Sequence, residues 1–167
     1  MESRAPARFE DVVLPHLDAA YTLARYLMRN AQDAEDVVQD ACLRALKYFE
    51  GFRGEATSAR AWLLTIVRNT AHTWHKRHRP DALTTEFDET EHSDAVADDH
   101  VDAKETLARA LERLAPEFRE VIVLRELQGL SYKEISDVAG VPVGTVMSRL
   151  SRARARLQEA LREKEVR

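Results

Sequence analysis

Side chains that could bind a polyanion recur in the C-terminal third of the chain. They follow Pro142 at a spacing that places them on the exposed side of one helix: Thr145, Ser148, Arg149, Arg152 and Arg156. Arginine donates paired hydrogen bonds to phosphate and to guanine, while hydroxyl groups bond to phosphates or base edges. A basic helix alone is usually only a solvated surface, so these residue types permit nucleic-acid binding without establishing it.

Two helices joined by a tight turn would position this basic surface. Ser131 and Glu134 have the spacing of a capping box, which predicts a helix start. Gly140 suits a left-handed cap, and Pro142 suits the start of the next helix. The second helix has an apolar stripe for packing, formed by Val146, Leu150, Ala153 and Leu157. This combination is typical of a helix-turn-helix whose second helix enters the major groove.

The composition favours an all-α protein, because Gly and Pro are few while Ala, Leu, Arg and Glu are many. A single cysteine, Cys42, forbids an internal disulfide and suits a reducing compartment. No apolar run approaches the roughly 20 residues that cross a bilayer, and the N-terminus lacks the apolar core of a signal peptide. We therefore expect a cytoplasmic protein without membrane insertion.

The net charge of -4 conceals an uneven distribution. Residues 1–80 carry 12 Lys/Arg and 10 Asp/Glu, residues 81–102 carry 9 Asp/Glu and no Lys/Arg, and residues 103–167 carry 13 Lys/Arg and 10 Asp/Glu. This pattern predicts two small helical domains, 1–80 and 104–167, joined by a flexible acidic linker, 81–103. The linker either keeps the domains apart, which we favour, or competes with DNA for the basic surfaces.

Helical periodicity defines the elements of both blocks. In the first block the predicted helices are Phe9 to Arg29 with a break near Leu14 caused by Pro15, Ala34 to Phe49 capped by Asp33, and one capped by Thr57 or Ser58 that ends near His78. The second of these has a predicted apolar stripe of Val38, Cys42, Ala45, Leu46 and Phe49, with Val37 and Ala41 beside it. In the second block, helical patterns start at Ala103 and at Pro116, the latter ending before Gly129.

Two groups of side chains on the third helix raise alternatives. Trp62 and Trp74 accompany basic residues, which suits stacking on unpaired bases, but a core position for Trp62 is at least as well supported. His72, His75 and His78 recur every third residue. No cysteine or paired carboxylate completes a tetrahedral zinc site with them, so we expect no metal.

Three motifs, taken in chain order, resemble those of a bacterial RNA polymerase sigma factor of the extracytoplasmic-function group (ECF, group 4) in the sigma-70 family. Asp33–Leu46 is similar to the helix that contacts the clamp helices of the polymerase. Phe52–Trp74 is similar to the loop and helix that read the minus-ten element. Leu111–Leu157 is similar to the domain that reads the minus-thirty-five element. The resemblance covers nearly the whole chain.

The resemblance implies a role for each matched position. Contacts with core polymerase fall on Asp36, Gln39, Asp40, Leu43 and Arg44. Contacts with the minus-ten element fall on Phe52, Arg53, Gly54, Trp62, Arg68 and Asn69. Contacts with the minus-thirty-five element fall on Thr145, Met147, Ser148, Arg149, Ser151, Arg152, Arg154 and Arg156. The implied partners are core RNA polymerase, through the beta-prime clamp helices and the beta flap, promoter DNA and an anti-sigma factor. No cofactor and no enzymatic activity are implied.

Two positions depart from the family pattern. Cys42 stands where phenylalanine is common, and Met147 stands where many members have a basic residue. Methionine cannot make the bidentate contact with guanine that arginine makes, although it can touch a thymine methyl group.

Three other functions remain as alternatives from the residues alone. A helix-turn-helix regulator that does not join the polymerase would leave Asp33–Leu46 unexplained. A metal hydrolase using His72 and His75 lacks a paired nucleophile and base. An adaptor made of two helical modules would not bind DNA even at low salt.

Overall fold

The computed structural model describes residues 8–52, 56–78 and 103–165, and the regular secondary structure in those ranges is entirely helical, without a strand. The helices are α1 (Phe9–Val13), α2 (Leu17–Leu27), α3 (Ala31–Tyr48), α4 (Ala56–His78), α5 (Ala103–Glu112), α6 (Pro116–Ile122), α7 (Tyr132–Ala139) and α8 (Val143–Glu165). Short 3-10 helices occupy Leu14–His16 and Phe49–Gly51, and a π-helical turn occupies Val123–Leu127. The all-α prediction is confirmed. Of the predicted linker, only Ala103 lies within the described residues.

The first helical segment breaks where the proline predicts. The α-helix ends at Val13, a 3-10 turn follows with Pro15 near its start, and α2 begins at Leu17. Proline has no backbone N–H and its ring crowds the preceding turn, so the α-helical ladder cannot continue through it. The break redirects the chain, and α2 then buries Ala20, Leu23 and Ala24.

The start of α3 differs from the prediction. Asn30, rather than Asp33, is the N-cap: its Oδ1 accepts from the Asp33 backbone N–H at 2.8 Å. Asp33 lies in the first turn, where its carboxylate accepts from Asn30 Nδ2 at 3.0 Å and complements the helix dipole. Likewise α4 begins at Ala56, so Thr57 and Ser58 lie inside that helix rather than capping it.

The buried stripe of α3 was predicted correctly except for Leu46, and its centre is shifted toward Val37 and Ala41. Its buried residues are small ones, at helical spacing: Ala34, Val37, Ala41 and Ala45. Leu46 was assigned to the core but is 55% exposed. Small side chains let α3 approach α2 and α4 closely, and Leu46 is rotated about 100° from Ala45 onto the open side.

The C-terminal half follows its local signals. Pro116 starts α6, as predicted. The widened turn after it includes a bond from the Gln128 N–H to the Val123 carbonyl at 3.1 Å, and it leads to Gly129 with φ +65°. Val121 and Leu124 are fully buried, so this apolar block forms the centre of the second half.

The two halves pack against each other. Helix α2 contacts α6, and α4 contacts α7, so the buried apolar residues form one continuous core across both halves. Helix α4 is consequently buried on more than one side, with Leu63, Leu64, Val67 and Ala71 all inaccessible. The sequence predicted two domains on a tether, and it contained no signal for how they meet.

Candidate nucleic-acid interface

The helix-turn-helix is fixed by local hydrogen bonds. Ser131 Oγ accepts from the Glu134 backbone N–H at 3.1 Å, and the Ser131 N–H donates to Glu134 Oε1 at 3.0 Å. Gly140 closes α7 with φ +69°, the left-handed conformation that glycine adopts cheaply. Across the turn, Ser136 Oγ donates to the Val141 carbonyl at 2.6 Å. The predicted capping box and glycine cap are therefore both confirmed.

Helix α8 has one buried side and one exposed side. Val146, Leu150 and Ala153 are buried, and Leu157 is half-buried. Thr145 and Arg149 are half-buried, and the other predicted DNA-contacting residues are exposed: Met147, Ser148, Ser151, Arg152, Arg154 and Arg156. Met147 is 53% exposed. This side combines hydroxyl, guanidinium and thioether groups, which suits contacts with base edges and phosphates.

Two arginines of this helix are engaged within their own half. Arg154 Nη2 donates to Glu126 Oε1 at 2.9 Å. The Arg156 guanidinium lies over the Phe118 ring, 5.0 Å from its centre. The Arg154–Glu126 pair is exposed, and such a surface salt bridge contributes little. Arg156 is itself exposed although Phe118 is buried, so either guanidinium is accessible to a phosphate.

The candidate polymerase contacts share one exposed side of α3. Asp36, Gln39, Asp40 and Leu43 are exposed, and half-buried Arg44 pairs with Asp40 at 3.3 Å. Leu43 is 68% exposed. The sequence prediction missed one neighbour: Leu46, three residues after Leu43, is also more than half exposed. Apolar side chains grouped on an exposed surface mark a protein-binding site, and this group lies beside the predicted contacts.

An aromatic cluster ends α3 and supports the start of α4. Phe52 lies 4.9 Å from Trp62 and 6.1 Å from Phe49, between ring centres, and Phe9 meets Phe49 edge-on at 5.5 Å. Trp62 is half-buried, in keeping with the core alternative, and part of its ring stays accessible. Arg53 and Gly54, which were assigned to the minus-ten element, lie outside the described residues.

Arg68 has a partner that the sequence did not reveal. Its Nε donates to Glu120 Oε1 of α6 at 2.7 Å. The Arg68 side chain is 19% exposed and that of Glu120 only 3%. Burial raises the pKa of Glu120, and Arg68 opposes that rise. Asn69, the adjacent candidate, is exposed. No local pattern could identify Glu120, because it lies in an apolar block 52 residues from Arg68.

Two of the three histidines of α4 bond to backbone carbonyls, and His72 is half-buried. His75 Nε2 bonds with the Leu27 carbonyl at 3.0 Å, and His78 Nδ1 bonds with the Trp74 carbonyl at 2.9 Å. Burial, aided by Arg68, lowers the pKa of His72 to about 4. Within the described ranges, no group of three His, Cys, Asp or Glu side chains could hold a metal ion.

No described helix combines the length and the apolar character needed to span a membrane.

Family models match both halves of the chain. The model for sigma-70 region 2 matches residues 12–80, and the model for sigma-70 region 4 matches residues 104–157. The first match contains α2 to α4, and the second contains the helix-turn-helix.

Curated relatives align over most of the chain. It is 33% identical to the RNA polymerase sigma-H factor of Pseudomonas aeruginosa, over 92% of this chain and 86% of that protein. It is 30% identical to the ECF RNA polymerase sigma factor SigW of Bacillus subtilis, over 93% of this chain and 89% of that protein. It is 32% identical to the longer SigE of Mycolicibacterium smegmatis, of which it spans 64%.

Two solved structures share the arrangement of both halves. One is the sigma factor RpoE of Bartonella quintana in complex with the anti-sigma factor NepR, with a TM-score of 0.72, 30% identity and coverage of 92% of this chain and 96% of that one. The other is CnrH in complex with the cytosolic domain of CnrY, with a TM-score of 0.67, 29% identity and coverage of 93% and 88%.

Proposed function

This chain belongs to the ECF RNA polymerase sigma factors of the sigma-70 family, and we propose that it binds core polymerase through the exposed side of α3. The surface has charged groups for orientation and apolar side chains for affinity. Leu43 at its centre is the most exposed large apolar side chain of the described residues. Its partner surface is the clamp helices of the beta-prime subunit, and a second contact joins the C-terminal half to the beta flap.

Promoter recognition is divided between two surfaces. Helix α8 reads the minus-thirty-five element through Met147, Ser148, Ser151 and Arg152, with phosphate contacts from Thr145, Arg149, Arg154 and Arg156. The aromatic cluster and α4 capture unstacked bases of the minus-ten element, with Phe52, Arg53, Gly54, Trp62, Arg68 and Asn69 as the contributing residues. Stacking on aromatic rings offsets the unstacking cost of a few kcal/mol.

Binding to both promoter elements requires two domains joined by a linker. We assign residues 1–80 to polymerase and minus-ten binding, 81–103 to the linker and 104–167 to minus-thirty-five binding. Two weak contacts on one chain raise each other's effective concentration, so neither has to be tight alone. The linker itself lies outside the described residues, apart from Ala103.

An anti-sigma factor is the expected regulator. RpoE, whose structure resembles this one over nearly its whole length, is in complex with the anti-sigma factor NepR, and CnrH is in complex with the cytosolic domain of CnrY. We infer a partner of this class for this chain, a cytoplasmic location and a role in a stress or envelope response. Sigma factors are transcription initiation factors and not enzymes, so the metal-hydrolase alternative is rejected.

One observation carries this proposal: this chain contains regions 2 and 4 in that order, and its relatives are themselves sigma factors. It is tested by retention of purified core polymerase on the immobilised chain. Leu43→Ala should reduce retention at least about tenfold, because central apolar residues dominate such interfaces. Leu14→Ala is a matched control, since Leu14 is 55% exposed elsewhere on the same half, and it should retain core normally. Equal retention by both variants would contradict the assignment of α3.

A further inference from the structure

A buried ion pair joins the two halves of the molecule. Arg68 of α4 and Glu120 of α6 meet at 2.7 Å with little of either side chain exposed. Two more hydrogen bonds cross the same boundary. Arg119 Nη1 donates to the Tyr26 carbonyl at 3.2 Å, and Gln128 Nε2 donates to the Ala19 carbonyl at 3.3 Å. The segment from α6 through the π-helical turn is thus attached to both α2 and α4.

Glu120 is placed among cations that the proposed function assigns to DNA. Arg68 bonds to it directly, and Arg149 of the recognition helix adds to the positive field around it. Taking a carboxylate out of water is costly unless it is paired, so its attraction for these cations is strong. A carboxylate and a phosphate offer arginine similar oxygen acceptors. Glu120 therefore occupies the binding capacity that a DNA phosphate would use.

The packed arrangement cannot engage both promoter elements. Helix α4 contacts α7, and α7 contacts α8. Packed helices lie about 8–10 Å apart, so the axes of α4 and α8 are within about 20 Å. Elements centred 10 and 35 base pairs upstream are about 25 base pairs apart, or roughly 85 Å along B-form DNA. DNA of that length is stiff, and the two surfaces must separate to reach both elements.

We propose that the contact between α6 and α4 is an autoinhibitory latch, in which Glu120 holds Arg68 and keeps the isolated chain closed. The latch rests on the proposed function, because it occupies a proposed minus-ten contact and keeps the two promoter-binding surfaces too close together to reach both elements. A chain that is mostly closed binds DNA more weakly by the fraction that is open. Any partner that favours the separated state, core polymerase included, then increases promoter affinity without touching the DNA.

The test is Glu120→Gln in the full chain. Glutamine keeps the shape and an acceptor oxygen but removes the charge, which leaves Arg68 buried without a counterion. Small-angle X-ray scattering should show a larger radius of gyration than for the wild-type chain. Fluorescence anisotropy with a single-stranded minus-ten oligonucleotide should show roughly tenfold tighter binding. An unchanged radius together with unchanged affinity would overturn the latch.

Two further variants distinguish the effect of separating the two halves from the effect of removing a negative charge. Glu126→Gln removes a carboxylate from the surface pair with Arg154, outside the boundary between the halves, and should change neither the radius nor minus-ten binding by more than about twofold. Gln128→Ala removes a hydrogen bond between the two halves without altering any charge. Like Glu120→Gln, it should increase both the radius of gyration and the affinity for the minus-ten oligonucleotide. If Glu126→Gln tightens binding as much as Glu120→Gln does, charge rather than opening is responsible and the latch is wrong.

The latch and the proposed function can fail separately. Scattering measures opening in the absence of DNA and polymerase, so a closed wild-type chain that expands in Glu120→Gln supports the latch alone. Failure of the wild-type chain to direct purified core polymerase would instead refute the proposed function. Should Glu120→Gln fail to fold by circular dichroism, the Gln128→Ala result decides, and no expansion in that variant would overturn the proposal.

Discussion

Arg152 is the exposed guanidinium best placed on α8 to read a base. It lies one helical turn after Ser148, on the side opposite the buried stripe. We predict that Arg152→Ala weakens binding to the cognate minus-thirty-five duplex by roughly 1–3 kcal/mol and relaxes specificity. Fluorescence anisotropy titrations with cognate and scrambled duplexes measure both effects. Equal affinity of the wild-type chain for the two duplexes would refute base reading by this residue.

Met147 gives the recognition helix an apolar contact in place of a charge. Its side chain is 53% exposed, and thymine is the base that offers a methyl group in the major groove. Replacing the facing thymine by uracil should weaken wild-type binding by about 0.8 kcal/mol, which is the value of one buried methyl-sized group. Met147→Ala should abolish the difference between the two duplexes. A persisting thymine preference in that variant would assign it to another residue.

The turn of the helix-turn-helix depends on one glycine and not on its neighbour. Gly140 has φ +69°, while Gly144 lies in the first turn of α8, and neither has another atom near the position of an added Cβ. Gly140→Ala should lower the free energy of unfolding by about 1–2 kcal/mol, the cost of a left-handed alanine. Gly144→Ala should leave it unchanged or raise it by up to about 1 kcal/mol. Urea unfolding compares the two, and equal destabilisation by both would contradict this origin.

At this scale the sequence was informative wherever the cause is local. The capping box of α7, the Gly140 cap and the break at Pro15 depend on neighbours within a few residues, and all three were predicted correctly. The N-cap of α3 was missed by three residues because Asn30 and Asp33 are both good capping residues. Local signals specify that an element exists more reliably than where it begins.

Burial by a distant element could not be predicted in the same way. Leu46 fits the helical period of α3 but faces away from α2 and α4, and Arg68 looks like an exposed cation until α6 supplies Glu120. Both outcomes depend on which helices pack together, which periodicity within one helix does not contain. The polymerase and DNA residues assigned by resemblance remain predictions, but the surfaces of α3 and α8 that carry them are exposed.

The whole molecule combines two proposed promoter-binding surfaces with an interface that keeps them close together. Regions 2 and 4 supply the surfaces, and the contacts of α2 and α4 with α6 and α7 form the interface. Promoter binding in this arrangement competes with the contact between the halves, which is a linkage between conformation and affinity. The isolated chain should therefore bind promoter DNA more weakly than the same chain bound to core polymerase.

Transcription in vitro tests the central claim most directly. Purified core polymerase is incubated with a library of genomic fragments, with and without the chain, and the 5′ ends of the transcripts are sequenced. The chain should produce a distinct set of start sites that share sequence elements centred about 10 and 35 base pairs upstream, as two base-reading surfaces require. Start sites identical to those of core polymerase alone, or start sites without shared upstream elements, would contradict a promoter-directing role.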